Sequence, residues 1–488
     1  MKIIVRTFAG FEEILSEEIF QITNIKPEIG KRAVYLNGGL EIIYSLNLWC
    51  RLALDVLVEL HHYKARNENE LYNGAYDFIW ENEFSIHETF SVSSVVSSPF
   101  FNHSKYASLK IKDAIVDQFK KKLGKRPSVD RENPDHKFLV RISHDQVNLL
   151  WNTSGNSLFK RGYRTMTGVA PLNEVLAAGI IKFSGWDLKR PLIDPMCGSG
   201  TFICEALMIA KNIPPTIKRK SFGFMNHKDY NHNLWEKLKA KSLEKINDNK
   251  PKIMGFDNFN EMIIASRNNV NNVFSNNICK INLKDFFDLE APIENSMLII
   301  NPPYNIRISQ DKNHLFYEKI GTRLKHSWSG SDAWILSGDL ESLKHIGLRP
   351  KRKIKLFNGP IETKLVHIPL YRGSKKLKNK QKLNKTLIRD IILTKIIKIK
   401  TEIADLKLLA KPIEPENSIG RISRMDAINN KTIVDRMLRN SEEKLKKLKF
   451  NLTLIETKDF GNCRKCKKEI NINRIKLMPE VSTCVKCS

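Results

Sequence analysis

The chain of 488 residues is long enough for two to four domains of about 100–200 residues each. Its 41% hydrophobic and 27% charged residues exclude a wholly disordered or collagen-like chain, and no apolar run reaches the roughly 18 residues of a membrane helix. Against 53 Asp+Glu stand 81 Lys+Arg, a formal net charge of +28 that points to a polyanionic partner, nucleic acid ahead of an acidic membrane surface. The first residues, Met1–Thr7, lack the apolar core of a secretory signal, so a soluble cytoplasmic protein is expected.

Residues 1 to about 165 mix strand-like runs (Lys2–Thr7, Phe138–Ile142, Val147–Trp151) with amphipathic helical stretches such as Glu12–Gln21 and Ser108–Lys122. From about 170 to 371, short apolar runs alternate with helical segments, the order of an α/β domain with a parallel sheet covered by helices. Strands are expected at Pro191–Asp194, Lys252–Asp257, Ile278–Asp285, Ser296–Asn301 and Ala333–Ser337. A closing hairpin, Lys353–Phe357 and Thr363–Tyr371, turns at Asn358-Gly359-Pro360. Lys211–Lys250 is polar and reads as an elaborated surface crossover.

Past Tyr371 the texture changes. Residues 372–400 carry eleven Lys/Arg and one acidic residue, and Gly373-Ser374 reads as a domain joint. Ile392, Ile396, Ile399, Ile403 and Leu406 step by four and three, as do Val434, Leu438, Leu445, Leu448, Leu452 and Ile455 with Ser441 in the missing step. Pro412, Pro415 and Gly420 break the helix between them, so an antiparallel coiled-coil hairpin is expected.

Three motifs carry chemistry. Asp194-Pro-Met-Cys-Gly-Ser-Gly-Thr-Phe202 follows an apolar strand and opens the helical run Thr201–Lys211. Gly198 and Gly200 permit close backbone approach to a ligand, while the absence of Gly-Lys-Ser/Thr excludes a phosphate-gripping NTPase loop. Acidic residues at three consecutive strand ends, Asp194, Asp257 and Asp285, suit a cationic, hydroxyl-rich ligand: Asp257 for a ribose, Asp285 for an adenine amine, Phe286 for the ring face. S-adenosylmethionine meets those requirements. In Asn301-Pro-Pro-Tyr304 the prolines remove two backbone donors, leaving the Asn301 side chain and the Pro302 carbonyl to accept from an exocyclic amine, with Tyr304 as a stacking face. Cys463-Arg-Lys-Cys466 and Cys484-Val-Lys-Cys487 form two metal knuckles suited to one structural Zn2+ site; a redox dithiol needs only one such pair, and an iron–sulfur cluster is the other alternative.

Asp194–Phe202, Asp257, Asp285 and Asn301–Tyr304 resemble class I methyltransferases acting on planar exocyclic amines. Thr153–Arg164, Ala170–Ala178 and Lys353–Gly359 narrow the resemblance to the bacterial THUMP-containing, RlmL-like rRNA guanine-N2 methyltransferases, over about residues 1–371. It implies a ferredoxin-like part (1–44), a THUMP RNA-binding domain (45–152) and a seven-stranded catalytic domain (165–371) that methylates N2 of a guanine in 23S-type ribosomal RNA. Where that family usually continues with Gly-Glu-Arg, this chain has Asn305-Ile306-Arg307. Lys105, Lys110, Lys112 and Lys120–Arg126 are candidate phosphate contacts. Residues 376–488 resemble the DksA/TraR family through Gly461-Asn-Cys463, Arg474, Met478-Pro479, Cys484–Cys487 and the interhelical Arg424-Met-Asp-Ala427. That resemblance implies a hairpin (376–459) stapled to a zinc ribbon (460–488), with RNA polymerase as partner and Asp426 and Ala427 on the tip motif. Two rivals stand beside this reading: a DNA adenine-N6 methyltransferase, and a non-catalytic RNA-binding protein whose tail regulates transcription.

Overall fold

The computed structural model describes residues 1–166, 171–275, 278–303, 310–372, 385–409, 421–455, 457, 460–470, 472–485 and 487. It divides into two compact units, Met1–Arg372 and Gly373–Ser488. The expected joint at Gly373-Ser374, the interhelical loop at 411–420, and Ala170 lie outside the described residues.

The first unit holds two seven-stranded sheets. In the N-terminal sheet the strands are β1 (Lys2–Arg6), β2 (Glu28–Gly30), β3 (Ala33–Asn37), β4 (Asp55–Lys64), β5 (Phe90–Ser97), β6 (His136–Ser143) and β7 (Gln146–Asn152), in the order β2-β3-β1-β4-β7-β6-β5. All pairs are antiparallel except β5 with β6. Strand β4 pairs with β1 through Asp55–Val58 and with β7 along most of its length, so one sheet runs unbroken through the N-terminal region. Alternation sends Ile3, Val5, Val34, Val56 and Val58 into the main core, packed with α1 (Glu12–Thr23) and α2 (Leu40–Trp49). Helices α3 (Glu68–Tyr76) and α4 (Ser104–Leu123) contribute Leu71, Ala107, Ile111 and Ile115 to the same core as Phe138, Val140 and Leu149.

The second sheet comprises β8 (Leu192–Asp194), β9 (Ile253–Asp257), β10 (Lys280–Leu283), β11 (Met297–Ile300), β12 (Asp332–Ser337), β13 (Arg352–Asn358) and β14 (Ile361–Pro369). Their order is β10-β9-β8-β11-β12-β14-β13, parallel through the first five and closed by the antiparallel β13–β14 hairpin. Helices α5 (Glu174–Ser184), α6 (Thr201–Ala210), α7 (His232–Glu244), α8 (Asn260–Val273) and α9 (Gln310–Ser327) accompany it. Met297–Ile300 is buried residue by residue, as a parallel strand covered on both faces must be.

The polar segment from Lys211 to Lys250 is a strut rather than a bare surface crossover. Its Phe224, Tyr230 and Trp235 rings surround Tyr44 of α2 at centroid distances of 4.4, 6.1 and 6.0 Å. The Arg219 guanidinium donates to the carbonyls of Ser154 and Ser157, each at 2.9 Å. A second tie is ionic: Arg161 and Glu205 of α6 pair at 3.3 Å with both side chains fully buried. Burial lowers the neighbouring Arg51 guanidinium to about 10 despite the charges of Glu205 and Glu18.

In the second unit, α10 (Lys385–Leu409) and α11 (Arg421–Leu454) fold back on each other, with Ile388, Ile392, Ile396, Leu448 and Ile455 in one cluster. Ser441 fills the gap in the apolar stripe by donating to Glu402 at 3.2 Å, and Lys407 pairs with Glu442 at 3.2 Å. A short helix, α12 (Ile472–Leu477), adds Ile475 to the cluster. Arg424–Ala427, expected between the helices, fall inside α11; their side chains lie outside the described part.

Candidate active site

From β8 the chain proceeds to β9 and β10 on one side, whereas β11 and β12 lie on the other, so strand order reverses between β8 and β11. A crevice at the carboxyl ends of such strands is where open α/β sheets bind ligands. A cavity of about 440 Å³ opens at this reversal, and Asp194, Gly198, Asp257, Asp285, Phe286 and Asn301 all line it.

Asp194 closes β8 and is 1% exposed, its Oδ1 accepting the Met196 N–H at 3.2 Å. Burial pushes its carboxyl well above the ordinary range, the Asp257 charge adds to the shift, and the Met196 N–H opposes it. Such a group favours a cationic ligand. Asp257 closes β9 and braces the glycine loop: Oδ2 accepts the Gly198 N–H at 2.8 Å and Oδ1 the Phe259 N–H at 3.0 Å. Each oxygen retains a lone pair for ligand hydroxyls.

The two glycines differ. Gly198 has φ +50° and a Cβ there would meet nothing within 4 Å, so it leaves backbone open beside the cavity. Gly200 has φ +82°, and a Cβ would lie 2.3 Å from Ser266 Oγ on α8. Its glycine serves close packing of the loop on that helix, and Gly200 is absent from the cavity wall. Asp285 also departs from expectation. Strand β10 ends at Leu283, and Asp285 instead caps a short helical turn, accepting the Phe287 N–H at 2.7 Å. Phe286, in that turn, is 3% exposed.

Asn301 follows β11 directly, and its Oδ1 is buried with no donor among the described residues. Pro302 is buried behind the wall and Pro303 lines it, while Tyr304 and Asn305–Arg307 lie outside the described residues. Among the described residues the cavity wall thus carries both a buried carbonyl oxygen with no donor, on Asn301, and a buried acid, Asp194.

Three family descriptions match the chain in succession: the RlmL ferredoxin-like domain over residues 2–57, the THUMP domain over 65–151, and the RMKL-like methyltransferase domain over 161–367. A putative RNA methyltransferase of Synechocystis is 34% identical over 367 residues, 74% of this chain and 95% of that protein. The chain belongs to the RMKL-like methyltransferase family. Another relative in it, the ribosomal RNA large subunit methyltransferase K/L of Psychromonas ingrahamii, is 35% identical over 363 residues, 73% of this chain and 48% of that protein. The chain thus spans about half the length of the K/L relatives it matches. Among solved structures, SMU.472, a putative methyltransferase complexed with S-adenosylhomocysteine (SAH), has a TM-score of 0.67 at 29% identity, over 76% of this chain and 99% of that one. A predicted N6-adenine-specific DNA methylase from Listeria monocytogenes also scores 0.67, at 25% identity over 76% of this chain and 96% of its own.

Sequence reasoning missed one positioning residue of this RMKL-like chain. Arg164 donates to Glu174 Oε1 (2.8 Å), Ser199 Oγ (3.1 Å) and Thr201 Oγ1 (2.9 Å), tying the linker and α5 to the glycine loop. Asn269 of α8 completes the brace by donating to the carbonyls of Met166 and Ser199, each at 3.0 Å. Phe259, 66% exposed, and Phe316 add apolar surface to the cavity.

In the second unit the sulfurs of Cys463, Cys466, Cys484 and Cys487 lie within 4.8 Å of one another, close enough to hold one ion. Backbone N–H groups of Cys466 and Cys484 pull the Cys463 thiol down, whereas hydrogen bonding with the Cys466 and Cys484 sulfurs pushes Cys487 up to about 12, so the four sulfurs share protons among themselves. Asn451, on α11, anchors the ribbon by donating to the Pro479 carbonyl at 2.7 Å.

Proposed function

We propose that this chain transfers a methyl group from S-adenosylmethionine to the exocyclic N2 amine of a guanine in large-subunit ribosomal RNA. The orphaned Asn301 Oδ1 carries the reading: a buried acceptor without a donor is costly unless a ligand supplies one, and an exocyclic NH2 does so. Asp257 would take ribose hydroxyls, Phe286 would pack on the adenine beside Asp285, and Asp194 and Gly198 would border the cationic end. The donor, when bound, supplies an electrophilic methyl on a sulfonium. The chain contributes alignment. Asn301 Oδ1 and the Pro302 carbonyl hold the amine hydrogens, Tyr304 stacks on the target base, and the nitrogen lone pair is left facing the methyl, so no strong base is required. A paired guanine must first leave its helix to reach this crevice.

Ribosomal RNA is the substrate named for the K/L relatives, and SAH is the molecule named with SMU.472. The Listeria neighbour is named for DNA adenine, so the decisive assay sets undermethylated large-subunit rRNA against duplex DNA with labelled donor. Label in RNA alone supports the reading, and label in DNA alone rejects it. We further propose that residues 45–152 are the RNA-reading part and 165–371 the catalytic part, working in the cytoplasm. Among the described residues no helix is long and apolar enough to cross a membrane. For the tail we propose a structural Zn2+ on the four cysteines and a DksA/TraR-like hairpin (376–459) and ribbon (460–488) that contacts RNA polymerase. A pull-down with purified polymerase tests this, and no capture with zinc intact rejects it.

A further inference from the structure

Helix α6 (Thr201–Ala210) grows directly out of the glycine loop, and Gly198, Ser199, Thr201 and Phe202 at its N-terminal end line the cavity. Three arginines hold this one helix, each at a different height. Arg164 donates to Ser199 and Thr201 beside the loop. One turn further on, Arg161 pairs with Glu205, both side chains fully buried. At the far end Arg51 Nη2 donates to the carbonyls of Ile213 at 2.7 Å and Met208 at 3.3 Å, closing the C-terminal turn with a cation where the helix dipole favours one.

Arg51 does not come from the catalytic domain. It follows α2, inside the stretch matched as ferredoxin-like (2–57), whereas α6 lies in the stretch matched as methyltransferase (161–367). Its own backbone is fixed on both sides. Glu18 of α1 accepts the Arg51 and Leu52 N–H groups at 3.1 and 3.0 Å, and the Arg51 carbonyl accepts from Arg161 Nη2 at 2.5 Å. The arginine that binds Glu205 thus also clasps the arginine that holds the end of the helix. The carboxylates of Glu205 and Glu18 both favour the Arg51 charge. Buried charge of this kind adds little net stability over apolar packing of the same volume, whereas its hydrogen bonds have fixed directions and so define a position. A helix of 10 residues is a rod of about 15 Å, so a shift at its far end is carried to the loop at its near end.

We propose that Arg51 is a positioning residue for the methyl donor: by gripping the end of α6 it sets the glycine loop at the other end of that helix, which makes the ferredoxin-like part a component of the donor site. The inference rests on the donor reading above and holds whichever base is methylated. Arg51 acts on donor binding and not on transfer, because Asn301 stands at the end of β11, a different element.

The test uses the full-length protein, with SAH binding by calorimetry and methyl transfer to undermethylated rRNA at varied donor concentration. Arg51→Met should raise the SAH Kd and the donor KM about tenfold, with kcat at saturating donor kept within about threefold of wild type. Arg51→Lys keeps the cation but loses the fixed reach of the planar guanidinium, so its Kd should lie between the two; it carries the test alone if the methionine variant does not fold. Arg6→Met breaks the Arg6–Asp55 pair in the same part of the chain, away from α6, and should leave the SAH Kd at the wild-type value whatever it does to the melting temperature. A purely structural Arg51 would lower the melting temperature and the active fraction, hence kcat, with Kd unchanged. That outcome in whichever Arg51 variant folds, or an equal rise in Kd with Arg6→Met, would overturn the proposal. Wild-type protein without affinity for SAH would instead reject the donor reading itself.

Discussion

Replacing Asn301 by alanine should separate catalysis from folding. Its Oδ1 is buried without a donor among the described residues, so the resting protein carries an acceptor whose desolvation costs about 1–3 kcal/mol. Alanine removes that cost and also removes some of the local packing. The two changes oppose each other, so folding stability should move by no more than about 1 kcal/mol, or roughly 2–4 °C for a domain of this size. Catalysis has no such compensation. Loss of a preorganised polar group aimed at the reacting centre costs about 10²–10³ in kcat, equivalent to about 2.7–4 kcal/mol. Donor affinity should stay near wild type, because Asp194, Asp257 and the glycine loop remain. Single-turnover transfer, calorimetry with SAH and thermal unfolding read the three quantities separately. A kcat within tenfold of wild type, or a melting temperature lower by more than about 8 °C, would show that Asn301 serves structure rather than the amine.

Asp257→Asn should weaken SAH binding by about tenfold or more, since it disturbs both the Gly198 hydrogen bond and the acceptor for ligand hydroxyls; calorimetry showing wild-type affinity would contradict this role. Because burial holds the Asp194 carboxyl above its ordinary pKa, affinity for the cationic donor should rise with pH through that raised value, and Asp194→Asn should flatten the profile. The free protein should correspondingly lose stability as pH climbs from the unfolded carboxylate pKa toward the raised one, the opposite of a salt-bridged Asp. Glu205→Leu strands the buried Arg161 charge and should cost about 3–5 kcal/mol in thermal or denaturant unfolding; a loss under about 1 kcal/mol would refute the pairing. Wild-type protein should carry one zinc by mass spectrometry and Cys463→Ser/Cys484→Ser none, with SAH binding unaltered.

Strands that are apolar end to end are legible in the sequence because burial on both faces leaves no other composition, as in Met297–Ile300. Asp194 and Asp257 are legible because a charge closing an apolar run has few places to go. Asp285 is not at a strand end because its strand, Lys280–Leu283, is short, with only Ile281 buried, and gives no apolar run to count from. Gly200 resembles a ligand contact in the sequence although the pressure on it comes from Ser266, and no spacing rule connects those two residues. Arg164 escapes for the same reason: its partners Ser199 and Thr201 meet it only through the fold. The 211–250 strut hides in polar sequence because Phe224, Tyr230 and Trp235 follow no helical or strand period, and Tyr44, which they surround, lies far earlier in the chain. The second apolar cluster of the N-terminal sheet is equally hidden. Ile3, Ile4 and Val5 read as one apolar run, and only strand pairing divides them, Ile3 and Val5 to the main core and Ile4 to a second cluster of strand residues.

The most direct measurement is nucleoside mass spectrometry of undermethylated large-subunit rRNA after incubation with the protein and isotopically labelled S-adenosylmethionine. The account predicts label in N2-methylguanosine, lost with Asn301→Ala. Label in N6-methyladenosine, or unlabelled RNA from a protein shown to bind the donor, would contradict it.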